Sequence, residues 1–191
     1  MRERLFADCK NSFCRRPSIP FRRVNRPQSP DYDPSLQRHH LLPLQVLSLR
    51  PFAEMLERLG YALIGFDDFR RNGLLLPARD SAALRLSLPL HRGPHRQYNT
   101  LVMERVGQIE ARWSAHRMRS ENAADAEAAM RLALLQRALR RRLLNPAGKP
   151  FRLNRHDPVG TGFDFTDLDA MAESLWGATQ NIAASSATLA S

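Results

Sequence analysis

Lysine is almost missing from this chain. Of the 29 basic residues 27 are arginine, Lys10 and Lys149 being the two lysines. A genome rich in G and C gives such a skew as readily as selection for phosphate contacts does. The net charge of +10 and pI near 11.0 therefore support an anionic partner, nucleic acid first, without deciding it. Cysteine is scarce as well: Cys9 and Cys14 stand alone, and two thiols cannot close a four-ligand structural metal site. Their C-x4-C spacing reads as reduced thiols in an N-terminal arm. No run approaches the roughly 18 apolar residues of a membrane span. The N-terminal "MRERLFADCKNSFCRRP" has basic residues but no apolar segment of signal-peptide length, so a cytoplasmic protein is expected, with export by a specialised machine left open.

What is there is enough for a core. Hydrophobic residues make up 43% of 191, which suits one domain with appendages. Five of the 13 prolines fall in residues 1–35, beside arginine pairs at 15–16 and 22–23. Proline at that density opposes helix and sheet alike, so an extended, flexible basic arm is expected there. "HHLLPLQVL" reads as a short strand interrupted at Pro43. "RPFAEMLERLGY" reads as a helix with Pro51 in its first turn and Gly60 at its end. "NGLLLP" gives a turn at Asn72-Gly73 and an apolar strand. A helix then starts near Pro94, with Tyr98, Val102, Val106, Ile109 and Trp113 on one face. A second spans about 121 to 144, acids early and arginines late, as the helix dipole prefers. The outline is an α+β fold dominated by helices: a small core over 36–118 whose two-stranded element carries histidines, a packing helix over 119–145, and over 146–191 a loop, a short acidic helix and a frayed tail.

Four of the six histidines fall in two clusters, "RHH" (His39, His40) and "HRGPH" (His91, His95). Histidine is both a common metal ligand and a base near neutral pH. Neighbours in a strand face opposite sides, so His39 and His40 cannot share one task. His91 and His95 are separated by Gly93 and Pro94, which puts His91 on a loop and His95 on the first turn of the helix; Asn99, one turn on, ranks third as a ligand behind His95 and His91. Tyr98 and Trp113 fit the apolar stripe better than a base-stacking platform. Arg140, Arg141 and Arg142 suit either the dipole of their helix or a nucleic-acid backbone. No role is assigned to His116 or His156, nor to Asp164, Asp167 and Asp169.

Taken in order, "HHLLP", "LGYALIGFDDFRRNGLLLP" and "HRGPHRQYN" resemble the HNH/endonuclease VII superfamily of nucleases, in its Ala-His-His branch, over residues 38 to about 113. Arg38 stands where the Ala of that motif would be. The resemblance implies a ββα-metal core and hydrolysis of phosphodiester bonds in DNA, or in RNA, with one divalent ion (Mg, Mn, Ni or Zn). It implies His39, His91 and His95 as ligands, His40 as the base for the attacking water, and Asn72 as the residue that fixes the hairpin loop and orients His40. Arg38, Arg92 and Arg96 become candidate phosphate contacts. Members of the branch often form the toxin ends of secreted bacterial proteins, which would call for an acidic immunity partner here. Two other readings compete. One is a non-catalytic nucleic-acid-binding module on the same scaffold; the other is an Arg-rich nucleic-acid or ribosome-associated protein whose histidines hold a structural zinc.

Overall fold

The computed structural model describes residues 17–145 together with 151, 153, 154 and 157. Cys9, Cys14, His156 and the acidic helix and tail expected after residue 146 lie outside the described residues. Among those described, two strands and seven helices build an α+β fold dominated by helix: β1 (Leu36–His40), α1 (Gln45–Ser48), α2 (Arg50–Leu59), α3 (Tyr61–Ile64), α4 (Phe69–Asn72), β2 (Gly73–Pro77), α5 (Asp80–Leu86), α6 (Arg96–Arg117) and α7 (Glu121–Leu144). The strands pair antiparallel, with His39 opposite Leu74 and His40 opposite Gly73. They are not joined by a tight turn. Residues 41–72 make an excursion through α1 to α4 before the chain returns.

The apolar periodicity expected of α6 is borne out: Tyr98, Val102, Val106, Ile109 and Trp113 are all buried. They join one core with Leu132, Leu135, Leu139 and Leu143 of α7 and Phe52, Met55, Leu56 and Leu59 of α2. The polar rim of this core is organised too. Trp113 Nε1 donates to Asp125 (2.8 Å), whose other oxygen accepts from Arg58 of α2 (2.8 Å). His116 meets Glu127 at 3.0 Å, in a network with Arg112 and Arg131. The helix ends follow local chemistry: Gly60 stops α2 at φ 80, and the Ser120 hydroxyl caps α7.

Three expectations need correction. The strand expected through "HHLLPLQVL" ends at His40. Leu41 and Leu42 are both fully buried, and their N–H groups go to Asn72 O and Oδ1 (2.8 and 2.7 Å) rather than to a ladder. The helix expected from Pro94 begins at Arg96, with His95 as its N-cap residue. The arm expected to be flexible over 1–35 is, from Pro17 on, part of the packed structure. Pro20 bridges Asp68, Ile19 and Phe69 exchange a backbone bond (2.7 Å), and Phe21 is buried in a short 3-10 turn. The side chain of Asn25, at φ 47, closes the following loop onto Asp33 and Leu36. Proline density excludes helix and ladder, but it leaves side chains and isolated backbone groups free to dock.

The return into β2 is tight. A β-carbon on Gly73 would land on the Phe69 ring, which itself packs edge-on against Phe21 (5.1 Å). Gly73→Ala is expected to cost about 1–3 kcal/mol by overpacking. Urea melts of the two proteins check this, and an unchanged midpoint contradicts it.

Candidate active site

The strand alternation separates the two histidines. His39, 3% exposed, turns inward beneath α6. There its ring lies 4.9 Å from that of His91, 5.7 Å from that of His95 and 4.9 Å from that of Tyr98. His40 turns the other way and lies flat on Phe21, centroids 3.8 Å apart and planes 3° apart.

His39, His91 and His95 converge so that one nitrogen from each lies within 4.8 Å of the others. Each is placed by its own element. Pairing with Leu74 fixes His39. The backbone of His91 donates to Pro77 O (2.6 Å), which ties its loop to the end of β2, and Leu90 N beside it donates to buried Asp157 (3.0 Å). His95 sits where α6 begins.

The donor set fits a cation. His39 Nε2 is buried and meets no hydrogen-bond partner. His95 Nδ1 donates to Leu153 O (3.1 Å) and His91 Nδ1 pairs with Gln37 Oε1 (3.3 Å). Those acceptors select the tautomer that leaves Nε2 as a lone pair, the usual support around a metal-ligating imidazole. Burial, reinforced by the neighbouring imidazoles, holds His39 well below the ordinary histidine range. Burial and the charge of His95 take His91 down to about 4. Burial lowers His95 as well, against the opposing Leu153 bond. All three are therefore neutral at neutral pH and able to coordinate. No cysteine or carboxylate joins them among the described residues. A divalent ion held by these three would keep positions for water or substrate, as catalytic sites do and closed structural sites do not.

Two buried side chains hold the turn after the histidine pair. Tyr98 donates its hydroxyl to Leu41 O (2.7 Å). Asn72, with no exposure, accepts from Leu42 N (2.7 Å) and donates to Leu42 O (3.1 Å), Phe66 O (3.3 Å) and pairs with Gln136 of α7 (3.3 Å). It thus locks the loop that leaves β1, and it makes no hydrogen bond to His40. Burial lowers His40, the Arg38 charge adds to this and the Asp67 carboxylate opposes it, so His40 too is neutral near pH 7.

The remaining candidates divide. Arg38 donates to Phe21 O (2.8 Å), and Arg92 lies 4.0 Å from Asp80. Arg96, exposed at the start of α6, faces no carboxylate among the described residues. Asn99 turns to Gln45 (3.3 Å). Arg140 closes α4 by donating to Arg70 O (2.8 Å), and Arg142 is buried over the Phe151 ring, so the arginines ending α7 form no uniform backbone track. Phe21, Gln37, Leu153 and Asp157 belong to no motif, and the sequence alone does not mark them. The carbonyl of Leu153 leaves no side-chain signal at all.

Two strands and a helix that meet at a histidine trio define a ββα core of the HNH kind. The chain belongs to the AHH family, a nuclease family of the HNH/ENDO VII superfamily with conserved AHH, which matches residues 21–139, more than half of its length. The match begins in the docked arm and ends within α7, so the family unit is wider than the 36–118 core expected. No curated protein and no solved structure matches the chain.

Asn72→Ala orphans both polar groups of Leu42 inside the core and is expected to cost about 3 kcal/mol. A thermal or urea melt checks it; a loss below about 0.5 kcal/mol contradicts the lock.

Proposed function

We propose that the chain is a metal-dependent endonuclease, cutting DNA in preference to RNA, with His39, His91 and His95 as ligands and His40 as general base. The buried, partnerless Nε2 of His39, in a ring 4.9 and 5.7 Å from those of His91 and His95, carries this reading. A divalent ion there would place positive charge beside a phosphodiester oxygen and the leaving 3′ oxygen. His40 accepts a proton from water as its oxygen forms a bond to phosphorus and the P–O3′ bond breaks. An imidazole that is neutral and half-buried suits that task. Arg96 and Arg92, at the mouth of α6, contact the phosphates; Arg38 contributes with the part of its guanidinium not used on Phe21. The +10 charge gathers polyanions to the surface and would suit an acidic immunity protein were the enzyme a toxin. No helix among the described residues is long and apolar enough to cross a membrane.

A non-catalytic binding module on this scaffold needs the ligands but has no use for His40, and this separates the two readings. Supercoiled plasmid incubated with wild type or His40→Ala in Mg²⁺, Mn²⁺, Ni²⁺, Zn²⁺ or EDTA provides the comparison. Nicking is expected to require metal and to fall about 10²–10⁴-fold in the variant, while metal affinity stays within about threefold. Intact plasmid and intact RNA with both proteins would favour the module. Equal loss of metal in His40→Ala would remove His40 from its role.

His39→Ala, in contrast, is expected to weaken metal binding by at least about tenfold, a fall that losing even a supporting group can produce. Isothermal titration with Ni²⁺ or Zn²⁺ reads it, and an undiminished affinity would place the ion elsewhere.

A further inference from the structure

The His40 imidazole makes no hydrogen bond to any described residue, and the amide expected to orient it is spent on Leu42, Phe66 and Gln136. Something else must hold the ring, because a base on a free side chain samples many rotamers and few of them face one water. The neighbour that does so is an aromatic ring from outside the strands. Phe21 stacks on one face of the imidazole, its plane 3° from parallel and its centroid 3.8 Å away.

The geometry assigns Phe21 as the positioning residue of the base: by stacking on His40 it fixes the plane in which the imidazole nitrogens point, so the segment Pro17–Asn25 belongs to the catalytic apparatus. This inference rests on His40 being the base.

Three further contacts make Phe21 a fixed platform. Phe69 packs edge-on against its outer side (5.1 Å, 73°). Its backbone N–H reaches Asp67 Oδ1 (3.4 Å) and its carbonyl accepts from Arg38 (2.8 Å). Arg38 is the residue next to the histidine pair, so the strand that carries the base also grips the residue that aligns it. Just ahead, Ile19 N donates to Asp68 Oδ1 (3.1 Å), and Ile19 O accepts from Phe69 N. The platform is thus latched to β1 and to the start of α4.

Stacking constrains differently from a hydrogen bond. Sliding or tilting the imidazole off the Phe21 face loses contact area and the aromatic pairing, while both nitrogens stay in the open plane. A hydrogen-bonded acceptor would have occupied one of them. A ring held by its face keeps one nitrogen for the attacking water and the other for solvent, which can receive the proton afterwards.

The test compares Phe21→Leu, which keeps bulk but not a flat ring, with Phe21→Tyr, which keeps the ring. Four observables are read: melting temperature, metal affinity, plasmid-nicking kcat and KM, and the NMR positions of the His40 ring protons. The stack predicts His40 ring resonances upfield in wild type and Phe21→Tyr, moving downfield in Phe21→Leu. Positioning predicts a kcat for Phe21→Leu lower by about 10- to 100-fold, the scale of a misplaced group. KM and metal affinity should stay near wild type, and Phe21→Tyr should restore most of kcat. A second expectation is that Phe21→Leu adds no loss when His40 is already Ala. Should Phe21→Leu cut as fast as wild type while His40→Ala is dead, the inference fails and the nuclease reading stands. If Phe21→Leu unfolds, a folded Phe21→Tyr protein whose His40 resonances move downfield from their wild-type positions, the stack being lost, while kcat stays at the wild-type value overturns it equally. Where wild type and His40→Ala behave alike in nicking, the role of His40 falls and takes this inference with it.

Discussion

The site depends on one buried amide. Asn72 both donates to and accepts from Leu42, so the chain leaving β1 is held like an extra rung of the sheet although the ladder has ended. That bond pair allows two consecutive leucines to turn inward after His40. It also ties the excursion of α1 to α4 to the return strand, and through Gln136 it ties both to α7. Without it the histidine pair would sit at the frayed end of a two-stranded sheet, which is marginally stable alone. Tyr98 repeats the device on Leu41, so α6 positions the pair as well as supplying His95 next to its first turn.

On this frame the pleat divides labour. Facing in, His39 loses its solvent and meets two other imidazoles; burial keeps all three neutral, which suits lone pairs aimed at a common point. Facing out, His40 is only half-buried and rests on Phe21. A single step along the strand thereby separates the proposed ligand, His39, from the proposed base, His40. The supports differ in kind: a backbone oxygen for His95 and an amide oxygen for His91, an aromatic face for His40.

Much of this was legible in the sequence, and the residues show why. The 3.6-residue stripe from Tyr98 to Trp113, the Gly60 stop and the acids-early, arginines-late order of α7 are local signals, and local physics decides them. The histidine trio was legible only because two clusters matched an ordered motif; spacing alone did not bring His39 to His91. Long-range choices stayed hidden. Asn72 was expected to reach His40, and sequence gives no sign that its amide would meet Leu42 instead. The proline-rich stretch at 17–35 excludes regular structure, and nothing local shows that Phe21 would find a histidine to lie on. Leu153 acts through its carbonyl, which every residue possesses. Arg142 suits a helix dipole or a nucleic-acid backbone by sequence, yet is buried over Phe151.

The proposed function turns on an open metal centre made by His39, His91 and His95. Anomalous diffraction from zinc-soaked crystals at the zinc edge tests it most directly. One peak is predicted about 2.0–2.1 Å from one nitrogen of each of the three histidines, the usual zinc–imidazole distance, with the remaining positions filled by water or buffer. A fourth protein ligand closing the sphere, or a peak away from these residues, would contradict it.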